Sequence, residues 1–164
     1  MKFLVPGGIL LAAVTLAACQ SSRTAARDFT PTLARFYLES GEAGAAAVEL
    51  PLSGVHVAIG AKPVFTEGDI LAVELMQVEL GKCLMFQLTP SAARDLYRLT
   101  GVGQGRRLVL MLNQIPMGAR RIEAPLTDGR VFIFAEVSET ALPALVTNLK
   151  KTTAELQREI ARKG

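Results

Sequence analysis

The sequence predicts an α+β domain: an antiparallel or mixed sheet with two helices packed on one face. Three observations carry that prediction. Short runs alternating apolar and polar residues recur between about positions 35 and 137; a helical period interrupts them after Thr89; and a second helical period occupies the last part of the chain.

The opening MKFLVPGGILLAAVTLAAC has one positive charge at Lys2, an apolar run from Phe3 through Leu16, and small residues up to Cys19. That order is a secretory signal, and the run is too short to cross a bilayer as a helix. No second apolar stretch of such length follows, so the rest of the chain is expected to be soluble in itself. Leu16-Ala17-Ala18-Cys19 resembles the bacterial lipobox, in which diacylglycerol is attached to the cysteine, the peptide is cut before it, and the new amino group is acylated. Residues 1–18 are therefore expected to be a lipoprotein signal peptide, with Cys19 the lipidation site and the membrane partner. Three acyl chains hold firmly, since each buried CH₂ contributes about 0.8 kcal/mol. Position 20 is Gln rather than Asp, so the lipoprotein resemblance implies the periplasmic face of the outer membrane in a host with two membranes.

Residues 19–32 are polar and small, without an apolar period, and read as a flexible tether; 33–164 read as one domain. Beyond Cys19 the sole cysteine is Cys83, which rules out an internal disulfide. In the apolar stretch CLMF it reads as a small buried hydrophobe. A net charge of +3 over 164 residues is too mild to imply nucleic acid.

Within the domain, RFYLES and AVELPLSGVHVAIG alternate, with Ser53-Gly54 as the turn between strands. Thr66 and Asp69 are placed to cap a short turn before two further strands on either side of Gly81-Lys82. Thr89-Pro90 opens a helix over 89–101, with Ala92, Ala93, Leu96, Tyr97 and Leu99 on its apolar side and Gly101 as its stop. Strands follow at 83–88, 106–112 and 130–137, with a turn at Asp128-Gly129. A helix over 139–150 completes the fold, capped by Ser138; Leu142, Leu145, Val146, Leu149, Leu156 and Ile160 keep helical spacing. Leu96 and Leu145 are expected in the core.

Gly101-Val102-Gly103-Gln104-Gly105 has the look of a phosphate loop, but the order is inverted. Such a loop leaves a strand and opens a helix, whose N-terminal N–H groups and dipole bind the anion. Here a helix ends and a strand begins, so the loop meets the negative end, and nucleotide is not expected. His56 stands on a polar phase without a second ligand at metal spacing, so no metal is expected. A hydrolase would need a base beside its nucleophile, and no such motif is present; Glu67 and Asp69 read as turn residues. No cofactor and no catalytic residue is assigned.

FQLTPSAARDLYRLTGVGQGRRLVLMLNQIPMGARRIEAPLTDGRVFI resembles the periplasmic P1 head region of SecD, the protein-export subunit that partners SecF. The shared order runs through Leu88-Thr89, Leu99-Thr100, Gly105-Arg106, the turn at Asn113-Gln114, Ile122-Pro125-Leu126 and Gly129; PVFTEGDI looks like the segment leading into the head. The resemblance covers about residues 63–150. It implies a SecD P1 head-like fold and a non-catalytic, lipid-anchored envelope protein that binds exported polypeptide or a Sec or other envelope partner. The family turn is usually Asp-Gly, the late strand commonly carries a glycine where this chain has FIFAEV, and the membrane segments that couple proton flow to transport are absent, so the pump does not carry over. The expected partner-binding residues are Arg94, Tyr97, Arg98, Arg106 and Arg107, since Tyr and Arg on a helix and its flanks suit an interface. The alternative is a structural envelope lipoprotein acting through self-association.

Overall fold

The computed structural model describes residues 28–163; the signal-like segment, Cys19 and the tether up to residue 27 lie outside the described residues. Among the described residues eight strands and two helices follow in order: β1 (Ala34–Leu38), β2 (Ala46–Glu49), β3 (His56–Ile59), a 3₁₀ turn (Glu67–Asp69), β4 (Ile70–Val78), β5 (Gly81–Leu88), α1 (Pro90–Val102), β6 (Arg107–Leu112), β7 (Ile115–Arg121), β8 (Arg130–Ile133) and α2 (Leu142–Lys163). Every ladder is antiparallel.

The expected single sheet holding 83–88, 106–112 and 130–137 is corrected. The strands form a sheet β1-β6-β7, a sheet β4-β5-β8 and the hairpin β2-β3. β6 cannot take β5 as a neighbour, because both its edges are filled, one by β1 and the other by β7 across the Asn113-Gln114 turn. Both residues of that turn have positive φ, 47° and 69°, as a two-residue hairpin of primed type requires.

One core joins the two larger sheets and both helices. Ala34, Phe36, Leu108, Leu110 and Leu112 enter it from one sheet, Val73, Leu84, Phe86, Leu88, Val131 and Ile133 from the other, and Ala92, Leu96, Leu142, Val146 and Leu149 from the helices. On the opposite face of β6, Val109 is buried under Val57 and Ile59 of the β2-β3 hairpin, with Tyr37, Met111 and Ala119 around them. Cover on both faces explains why RLVLML is apolar without alternation.

Several boundaries differ from expectation. α1 continues through Gly101 to Val102 and is capped by Gly103, whose N–H donates to the Leu99 carbonyl at 2.9 Å. A Cβ on Gly103 would lie 2.7 Å from that oxygen, which makes 103 rather than 101 the position that needs glycine. α2 starts later and runs to Lys163, because Gln157 reaches the carbonyls of Gly68 and Ile70 at 3.2 and 2.8 Å and so anchors its second half. β8 ends at Ile133, where the chain turns toward β7: Glu136 N–H donates to the Met117 carbonyl at 2.6 Å. Leu96 is fully buried, whereas Leu145 is only half-buried at the edge of the core. Ser138 does not cap the last helix itself: its hydroxyl accepts from the Ala141 N–H and closes the turn at 139–141, after which α2 begins at Leu142.

Residues 28–32, expected within the tether, lie along α2. Thr32 N–H donates to the Thr152 hydroxyl at 2.9 Å, Asp28 pairs with Lys151 at 2.6 Å, and the Lys151 ammonium stands 5.6 Å from the Phe29 ring centroid. Asn113 completes the anchorage, accepting from Leu33 N–H and donating to the Pro31 carbonyl.

Candidate functional site

α1 owes its start to Thr89, whose hydroxyl accepts from the Ala92 N–H at 3.3 Å, and to Pro90 in the first turn. Burial of Ala92, Leu96 and Thr100 fixes its rotation. Residues 94, 97 and 98 therefore stand on the outer face. There Ala93, Arg94, Tyr97 and Arg98, with Thr127 of the loop before β8, line a shallow depression of about 420 Å³. Thr100 holds that loop in place: its hydroxyl donates to the Leu96 carbonyl at 2.7 Å and accepts from Leu126 N–H at 2.9 Å. Arg94 has no ion pair among the described residues, and Arg98 has only an exposed contact with Asp95 at 3.5 Å, which contributes little. Tyr97 is 53 % exposed. Three of the five expected binding residues thus share one accessible surface.

Arg106 and Arg107 do not join them. The Arg106 guanidinium donates to the Glu39 carbonyl, through Nε at 2.7 Å and also through Nη2. Arg107 donates to the Glu39 carboxylate from both its backbone N–H and its Nη1, at 2.8 and 2.9 Å. These two arginines fasten the start of β6 to the end of β1. The glycine loop between α1 and β6 is held in the same way, with Gly105 N–H donating to the Ile122 carbonyl.

A second surface escaped the sequence reading. Val131 and Ile133 face the core, so Phe132 and Phe134 lie on the opposite face of sheet β4-β5-β8, where the register sets Met85 beside Phe132. Cys83 and Val78 share this side, and with Leu80, Ala119, Arg120 and Arg121 these residues bound a groove of about 600 Å³. Leu80 is 86 % exposed and Phe134 42 %. The second face of an antiparallel sheet is ordinarily polar when it meets water; here the end with Gln87 and Arg130 is polar, whereas the part around Phe132 and Phe134 is apolar. The available signal was the lack of alternation in KCLMF and VFIF, where both phases of the strand are apolar.

Cys83 is a buried free thiol whose pKa burial pushes up, which disfavours the reactive thiolate. His56 is exposed at the start of β3, and among the described residues no three His, Cys, Asp or Glu side chains are grouped to hold a metal ion. No helix among the described residues is long and apolar enough to cross a membrane.

No protein-family model matches the chain. No curated protein matches it by sequence. Solved structures do. A crystal structure of SecDF in its super-membrane-facing form superposes with a TM-score of 0.55 and 19 % identity, over 73 % of this chain and 19 % of that one. A second structure, of SecDF as a membrane component that enhances protein export, gives a TM-score of 0.54 and 18 % identity over 73 % of this chain and 63 % of the other. The chain corresponds to less than two thirds of either protein. At this identity the likeness is one of fold: the α+β arrangement of antiparallel sheets and two helices is similar to that in SecDF.

Proposed function

We propose that this protein is a non-catalytic binding domain of the cell envelope, tethered by lipid on Cys19, that engages exported polypeptide or a component of the export machinery through the outer face of α1. The observation that carries the reading is the SecD-like fold over 73 % of the chain, one of the similar structures being described as a membrane component that enhances protein export. Arg94, Tyr97 and Arg98 supply the composition of an interface on a rigid element: an aromatic body with cationic neighbours that hold no strong internal partner. Arg106 and Arg107, engaged by Glu39, fasten β6 to the end of β1 and form no part of that surface. Nucleotide, metal and proton coupling form no part of the proposed activity. A photo-reactive residue placed at 94 or 98 in living cells tests the reading. Adducts with exported chains or Sec components are the expected result, and adducts with the protein's own copies alone would favour a structural role through self-association.

A further inference from the structure

The groove beside β8 is bordered by the edges of two sheets. Ile122 N–H donates to the Arg106 carbonyl at 2.8 Å, so strand alternation turns residues 118 and 120 toward β6 and leaves the N–H and C=O of Ala119 and Arg121 facing outward. On the other side Leu88 N–H donates to the Gly129 carbonyl at 2.9 Å, which turns 131 and 133 toward β5 and Phe132 outward. β7 and β8 share no ladder among the described residues. Their chains meet where Glu136 bonds Met117 and where Gly118 lies so close to Phe134 that a Cβ would stand 2.3 Å from its carbonyl oxygen. Beyond that contact the edges part. In the gap Arg120 Nη1 donates to the Phe132 carbonyl at 3.3 Å, in the place where the N–H of a neighbouring strand would stand.

We propose that this cleft accepts an extended polypeptide segment as an added strand, paired to the free edge of β7 at Ala119 and Arg121, with its apolar side chains on Val78, Leu80, Phe132 and Phe134. The inference rests on the binding reading above and gives it a second surface with a stated chemistry. The occupant is a polypeptide because the edges offer backbone donors and acceptors in strand register, which a lipid chain or an aromatic ligand would leave unmet. Charge agrees with an uncharged, alternating segment: Glu79, Arg120, Arg121 and Glu123 all line the groove, so its rim carries both signs and selects neither.

The test uses the purified full-length protein and a fluorescent peptide alternating valine and threonine, with a copy N-methylated at alternate residues. The parent peptide should bind, and N-methylation should weaken it by about tenfold or more, as loss of one or two backbone hydrogen bonds implies. Ala119→Pro removes an outward N–H without touching the β6 ladder and should weaken binding about tenfold. Phe134→Ser, on an exposed position, should do so by removing the apolar floor. Equal binding of the two peptides, or binding untouched by both variants, overturns the proposal. So does a dimer that Phe134→Ser dissolves, which would make a second copy the occupant. Absence of peptide binding with crosslinks from 94 and 98 intact overturns the groove alone; loss of both overturns the binding reading as well.

Discussion

The ring of Phe36 on β1 meets that of Phe86 on β5 edge to face, with centroids 5.1 Å apart and planes at 88°. Both side chains are fully buried, and the contact joins two sheets that share no ladder among the described residues. Truncating either to Ala should cost about 3–5 kcal/mol. Because the rings touch, the double variant should cost less than the two singles together. Urea unfolding of the four proteins measures both effects; full additivity would show that the sheets are not coupled here.

Leu96 and Leu145 differ in burial, and their truncation should differ accordingly. Leu96 is sealed beneath α1 and its change to Ala should cost about 2–5 kcal/mol, whereas half-buried Leu145 should cost clearly less. Thermal unfolding of the two variants side by side checks the order.

Gln114 sits at φ 69°, a conformation that costs an L-residue roughly 1–2 kcal/mol. Gln114→Gly should raise stability by up to about 1 kcal/mol, the unfolded-state entropy of glycine offsetting part of the relief. Asn113→Ala should act in the opposite direction, since it frees Leu33 N–H and the Pro31 carbonyl that the Asn side chain holds. A midpoint shift of the same sign in both variants would contradict this account of the turn.

Glu136 gives the β2-β3 hairpin a pH-dependent fastening. Its carboxylate accepts from Leu52 N–H, Ser53 N–H and the Ser53 hydroxyl at 2.8, 2.9 and 2.6 Å. Burial pushes its pKa up, but these three donors outweigh it and hold the group below the ordinary 4.5. A depressed folded pKa means the stabilisation is complete above the unfolded value and is lost as pH falls through the folded one. Amide exchange at Leu52 and Ser53, corrected for its intrinsic pH dependence, should therefore show weaker protection below about pH 4.5. Glu136→Gln should abolish the step.

Much of the fold was legible because local chemistry decides it. Thr89-Pro90 fixes one helix start, Ser138 opens the turn before the other, and Asp128-Gly129 marks a turn whose glycine adopts φ 68°. Partition into separate sheets was not legible, since pairing depends on which edges the hairpins have already filled. The glycine that stops α1 is Gly103, two residues beyond the expected Gly101, because the two look alike in sequence and only contact with the Leu99 carbonyl separates them. Among the expected site residues, composition found Arg94, Tyr97 and Arg98 but could not show that Glu39, distant in sequence, engages Arg106 and Arg107. The groove went unread because the apolar outer phase of β5 and β8 looks the same as a strand buried on both sides.

The tether has its own chemical test. Labelled palmitate should enter the wild-type protein and not Cys19→Ala, and the wild type should fractionate with membranes. Two soluble, unlabelled proteins would rule out the lipid anchor.

Engagement of exported chains or of the export machinery through the outer face of α1 is the central claim, and pulse-labelled crosslinking from position 98 in living cells tests it most directly. Adducts should form with newly exported proteins, leaving during the chase, or with Sec components, and should be fewer when Arg94 is changed to Glu. Adducts confined to copies of the protein itself, or none at any time, would contradict it.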